Sequence, residues 1–149
     1  MSGEAMRAKK QRVAAYGVCI NENDEILLAR WLGPKGKRWI LPGGGIDHGE
    51  HPYDGVIREF EEETGYAVEV VRLIGIDSEL RLDPDRDYHA LRIMYEVRVV
   101  SGELRSEVGG TTDLAQWHPV ADIGQLDRVP SLDTALGLYR TAPPAGILR

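Results

Sequence analysis

Long apolar runs are missing from this 149-residue chain, so no segment can span a bilayer. The opening residues, MSGEAMRAKKQR, are basic but lead into no apolar core with a small-residue cleavage site, and no secretory signal is read there. Cysteine is almost absent. Cys19 stands alone, which excludes an internal disulfide, and its setting in VAAYGVCI favours a buried, inert thiol over a nucleophile. Positive charge is in deficit, with a formal net charge of -6, which argues against holding nucleic acid by its backbone. A small anionic substrate is still possible, because a bound cation can reverse the local sign. His48, His51, His89 and His118 show no mutual spacing that would make a zinc site. No repeat or linker divides the chain. These absences leave a cytoplasmic enzyme or binding protein as the expectation, with one core.

What is present reads as one mixed α/β domain over residues 12–142, with a flexible segment at 1–11 and a tail at 143–149. RVAAYGVCI and EILLARW, joined by the turn residues NEND, predict two strands of a hairpin. LGPKGKR reads as a basic loop, and WILPGGGIDHGEH as a short strand entering a glycine-rich loop. Pro52 at the first helical position, His51 near the N-cap and Gly65 at the end predict a helix over about 52–64. Two long strands follow, at 67–80 and 88–100, separated by the loop LDPDRD. LAQWHPV predicts a short strand, and 131–142 a helix with Ser131 as the N-cap candidate.

The helix at 52–64 carries the strongest signal. Its end, REFEEETGY, holds Glu59, Glu61, Glu62 and Glu63. At about 100° per residue, Glu59, Glu62 and Glu63 share a face while Glu61 points away. Tyr53, Ile57, Phe60 and Thr64 form the stripe expected to pack on the sheet, and Arg58 can pair with Glu62 one turn on. Like charges one turn apart cost a few tenths of a kcal/mol per pair, and acids beside the helix C-terminus cost roughly 0.3–1 kcal/mol each. Helix stability does not explain such a cluster. A bound divalent cation explains it better than a solvated acidic face, because hard cations favour carboxylate oxygens.

The wider stretch, GGIDHGEHPYDGVIREFEEETGY, resembles the Nudix box, G-x5-E-x7-R-E-U-x-E-E-x-G-U with U bulky and apolar. It begins at Gly44, matches every charged and glycine position, and departs only in carrying Tyr66 at the final apolar place. The resemblance implies a mixed β-sheet between helices in an α/β/α sandwich. It also implies hydrolysis of a nucleoside diphosphate linked to another moiety, with Mg²⁺ or Mn²⁺ required. By position, Glu59, Glu62 and Glu63 match the family's metal-binding and catalytic glutamates. The Gly43 carbonyl matches a main-chain ligand, Glu50 a carboxylate that supports the metal, and Arg58 a residue that holds a catalytic glutamate. Glu62, central among the three acids, is the favoured general base. Glu107 or Asp113 is a further candidate for completing the metal site.

Gly44 and its neighbours let backbone approach metal or phosphate without side-chain obstruction. Arg30, at the end of EILLAR, matches a frequent phosphate-binding position in similar proteins. Lys35, Lys37 and Arg38 follow it, forming a basic patch suited to a polyphosphate, although the lysines fit solvated loop charges equally well. Tyr16, Trp31, Trp39 and Tyr88 can stack on a base, but each suits the core as well. The expected partner is a small nucleotide or nucleoside diphosphate derivative, and a homodimer is an open expectation. Two other readings remain. One is a Nudix-fold sensor that binds without turnover. The other is an isoprenoid-diphosphate isomerase, which needs a catalytic cysteine.

Overall fold

The computed structural model describes residues 7–149. Its elements, in chain order, are β1 (Ala8–Val18), β2 (Glu25–Gly33), β3 (Gly36–Ile40), β4 (Gly43–Gly45), α1 (Pro52–Thr64), β5 (Tyr66–Leu82), β6 (Arg86–Gly102), β7 (Thr112–Pro119), a 3₁₀ turn (Val120–Gln125) and α2 (Pro130–Thr141). They form an α/β/α arrangement, with two sheets where one was expected. The larger has the order β4-β1-β6-β5 and the smaller β3-β2-β7. The pairing of β1 with β6 is parallel and every other pairing is antiparallel.

Three expectations about the strands are corrected. β1 and β2 meet only around the Ile20–Ile26 bridge and then enter different sheets. Both edges of β1 are taken, by β4 and β6, so it has no edge left for β2. Residues 8–11, expected to be flexible, are strand instead. Residues 1–6 lie outside the described residues, but β1 begins at Ala8, paired to Arg86. The basic loop is also largely strand. Gly33 pairs with Gly36 across a tight turn at Pro34 and Lys35, which places Lys37 and Arg38 on β3. Gly36, at φ 106°, supplies the positive φ such a turn needs.

Ile26, Leu27, Leu28 and Ala29 are all fully buried, because β2 is covered on both faces. One core cluster lies under α1 and includes Ala15, Leu27, Val56, Phe60 and Val97. The other lies under α2 and includes Val18, Ile26, Leu28, Met94, Leu132 and Leu138. On α1 the buried stripe is Val56, Phe60 and Thr64, whereas Tyr53 is exposed. α2 starts with Pro130 at its first turn and Val129 as N-cap, so Ser131 lies inside the helix. No helix among the described residues is long and apolar enough to cross a membrane.

Candidate active site

α1 is fixed at both ends by its own sequence. The His51 side chain accepts a hydrogen bond from the Tyr53 N–H at 3.0 Å. At the other end Gly65, with φ 82°, donates its N–H to the Glu61 carbonyl at 2.9 Å. Between these caps, successive turns deliver Arg58, Glu59, Glu62 and Glu63 to the side where β4 runs past the helix.

Arg58 is the hub of this region. It grips Glu50 through two bonds of 2.9 Å, from Nε and Nη2. Its Nη1 reaches Glu59 at 3.1 Å and Glu62 at 3.3 Å, and Asp47 lies 3.4 Å from Nε. The helical Arg58–Glu62 pair is therefore present, but the stronger partner is Glu50. The Arg58 hydrogen bonds, aided by the Asp47 N–H, lower the Glu50 pKa to about 2. An arginine holding several carboxylates at once is a positioning device.

Glu63 is treated differently. It is 3% exposed, and it accepts a bond of 2.6 Å from the Gly43 N–H. Burial pushes its pKa well up, the Gly43 bond opposes this, and the charges of Glu59, Glu107 and Glu62 push it further up. Glu59 is also raised, first by burial, with Arg58 offsetting part of the effect. Glu62 is exposed. Gly43 has φ 148°, and a Cβ there would run into the Ala15 carbonyl, so only glycine brings this N–H onto Glu63.

Among the described residues no three acids stand in a ready-made metal-ligand group. The donor chemistry nevertheless fits a hard divalent cation. Glu59 and Glu63 are oxygen donors taken largely out of water, and no cationic side chain reaches Glu63 among the described residues. Glu107 is close enough for its charge to raise both. Asp113 belongs elsewhere. It accepts from Arg30 at 2.9 and 3.1 Å and from Lys37 at 2.9 Å. These bonds lower its pKa, those from Arg30 most.

A cavity of about 860 Å³ opens beside β4. Glu59, Glu63, Gly43 and Gly44 line it, and so do Lys35 and Arg38. Arg30 and Lys37 are not part of that lining; β3 alternation and Asp113 keep them together elsewhere. Arg38 stacks over the Trp31 ring at 5.6 Å, and its Nε is buried without a partner. Tyr16, Trp31 and Tyr88 reach the cavity, while Trp39 packs against the core under α2.

The histidines take ordinary places. His51 caps α1, His89 contacts Gln11 and Ser78, and His118 packs edge-on against Trp39. Cys19 is buried, and burial drives its pKa up to about 11. That is the reverse of an activated thiol, which removes support for the isomerase. Sequence reading missed Arg12, which lines the cavity. The signal was available in the alternation of β1, where Arg12, Ala14 and Tyr16 share a face.

A loop–helix–loop of this charge pattern, set against a glycine strand in an α/β/α sandwich, defines a class. The family model described as NUDIX domain matches residues 10–136. The chain belongs to the Nudix hydrolase family. It is 35% identical over 96 residues to an ADP-ribose pyrophosphatase of Methanocaldococcus jannaschii, covering 63% of this chain and 54% of that protein. It is 33% identical over 117 residues to YjhB of Bacillus subtilis, covering 78% of this chain and 51% of the relative. The chain thus spans about half the length of these curated relatives. A solved Nudix hydrolase from Nitrosomonas europaea superposes with a TM-score of 0.74 at 24% identity, covering 88% of this chain and 89% of that one. At that identity the likeness speaks for the fold alone.

Proposed function

We propose that this chain hydrolyses the diphosphate linkage of a nucleoside diphosphate derivative, with ADP-ribose the first compound to test. The observation that carries the reading is the buried Glu63, tied to Gly43 and opening with Glu59 on a cavity large enough for a nucleotide. The choice of ADP-ribose rests on the Methanocaldococcus jannaschii relative.

Glu59, Glu62 and Glu63 would hold Mg²⁺ or Mn²⁺, with the Gly43 carbonyl and Glu50 in support. When bound, such a cation neutralises phosphate charge and lowers the pKa of water. Glu62, exposed beside the buried pair, takes the proton of the attacking water. Arg58 keeps Glu50, Glu59 and Glu62 in register, as its hydrogen bonds support. Gly44 gives the phosphate chain access to the site, and Arg38 lines the same cavity. Arg30 and Lys37, carried on Asp113, act on substrate only if that cluster opens.

Product-resolved chromatography of ADP-ribose and a panel of nucleoside diphosphate derivatives, with Mg²⁺, Mn²⁺ or EDTA, tests the proposal. Metal-dependent release of AMP and ribose phosphate is the expected result. Tight binding without turnover on any compound would instead establish the sensor.

A further inference from the structure

β4 is a bar without side chains, and it separates two opposite charges. A Cβ on Gly44 would meet the Glu59 carboxylate oxygens at 3.1 and 3.3 Å. A Cβ on Gly45 would stand 3.2 Å from Nε and 3.3 Å from Nη2 of Arg12. Strand alternation points these two directions to opposite faces. Glu59 and Arg12 nevertheless line the same cavity, beside an edge strand. One glycine backbone therefore lies between an acidic group and a guanidinium.

Of the four arginines around the cavity, Arg12 and Arg38 have no carboxylate partner among the described residues, and Arg38 is stacked on Trp31. Arg81 is paired with Asp83, and Arg92 with Asp77 and Glu79. Arg12 has no carboxylate partner among the described residues; it stands beside the phenols of Tyr16 and Tyr88. Burial works against its charge, and those phenols more than offset this, raising its pKa. The side chain is open to solvent. A permanently charged, forked donor left without an acid, and accessible in a cavity, suits a phosphoryl group.

We propose that Arg12 binds a phosphoryl oxygen of the substrate at one end of the cavity, with the phosphoryl group to be attacked directed toward Glu59 and Glu63 in the same cavity. This rests on the diphosphate substrate proposed above and adds a subsite to it. The subsite sets register: water attacks the phosphorus beside the acids, its bond to the bridging oxygen breaks, and that oxygen leaves on the phosphoryl group held at Arg12. Phosphate monoesters, unable to reach both Arg12 and the acids, bind more weakly.

Calorimetric titration with methylenediphosphonate in excess Mg²⁺ tests the subsite without any turnover. Wild type should bind it, Arg12→Gln should lose about tenfold to a hundredfold in affinity, and Arg12→Lys should fall between them. Arg105→Gln, outside the cavity lining, should bind as wild type does. Circular dichroism and melting temperature confirm that each variant is folded. Equal binding by wild type and Arg12→Gln, or no binding by wild type, overturns the subsite. The hydrolysis panel reports separately. Binding that depends on Arg12 with no turnover removes the proposed activity and keeps the subsite; turnover with Arg12-independent binding does the reverse.

Discussion

Glu63 shows how a single residue can cost stability when no cation is present. Its folded-state pKa is raised, first by burial, so the folded protein holds the proton more tightly than the unfolded chain does. The associated stability is fully present below the unfolded value, about 4.3, and is lost as pH rises through the folded value. Glu63→Gln keeps an acceptor for the Gly43 N–H and removes the charge. Without metal, its melting temperature should exceed that of wild type at pH 8, the gap closing toward pH 4. Its metal-dependent turnover should vanish. A loss of stability at every pH would show that the acid serves structure. Glu62→Gln should reduce kcat by about 10²–10⁴-fold. Glu61→Gln, exposed and off the acidic face, should leave kcat near wild type. Asp113 has the opposite sign. Arg30 and Lys37 lower its pKa, so its stabilisation is present above the unfolded value and lost as pH falls through the folded one. Thermal melts should show Asp113→Asn less stable than wild type at pH 7 and equal to it in strong acid, with turnover close to wild type.

At the scale of elements, α1 was the most legible. Pro52, Gly65 and the acid spacing announced it, and the helix runs from Pro52 to Thr64. Its caps are local chemistry, which a sequence carries in full. Its packing stripe was misplaced by part of a turn. Tyr53 is solvent-facing and Val56 is buried, because Phe60 fixes the helix against Gly17 and Val97. A Cβ at Gly17 would come within 3.1 Å of the Phe60 ring, so the contact has no slack. Phe60→Ala should therefore cost about 3–5 kcal/mol in urea unfolding. Leu80→Ser, on an exposed strand position, should change stability by about 0.5 kcal/mol or less. The strands were recognised as segments but not as neighbours. NEND joins β1 to β2, yet each finds its main partners far along the chain, at β6 and β7.

For the whole molecule, folding and metal should be coupled. An acidic face that repels itself in the free protein gains most from a cation. At Mg²⁺ one hundredfold above its Kd, linkage predicts about 2.7 kcal/mol of added stability. Differential scanning calorimetry should show that rise in wild type and its loss in Glu63→Gln; equal rises would place the cation elsewhere. The Nudix box itself needed no fold to be seen, since Glu50, Arg58, Glu59, Glu62 and Glu63 lie within one loop and one helix. Their one-turn spacings are fixed by helical geometry, and the sequence alone determined that acid face and its hub arginine. Which cations reach the cavity was decided only by the tertiary structure. Arg30, Lys37 and Asp113 come from three strands, and only the β3-β2-β7 pairing joins them. Arg12 meets β4 only because β1 pairs with it. Long-range strand pairing has no local code, and so neither encounter could be read along the chain.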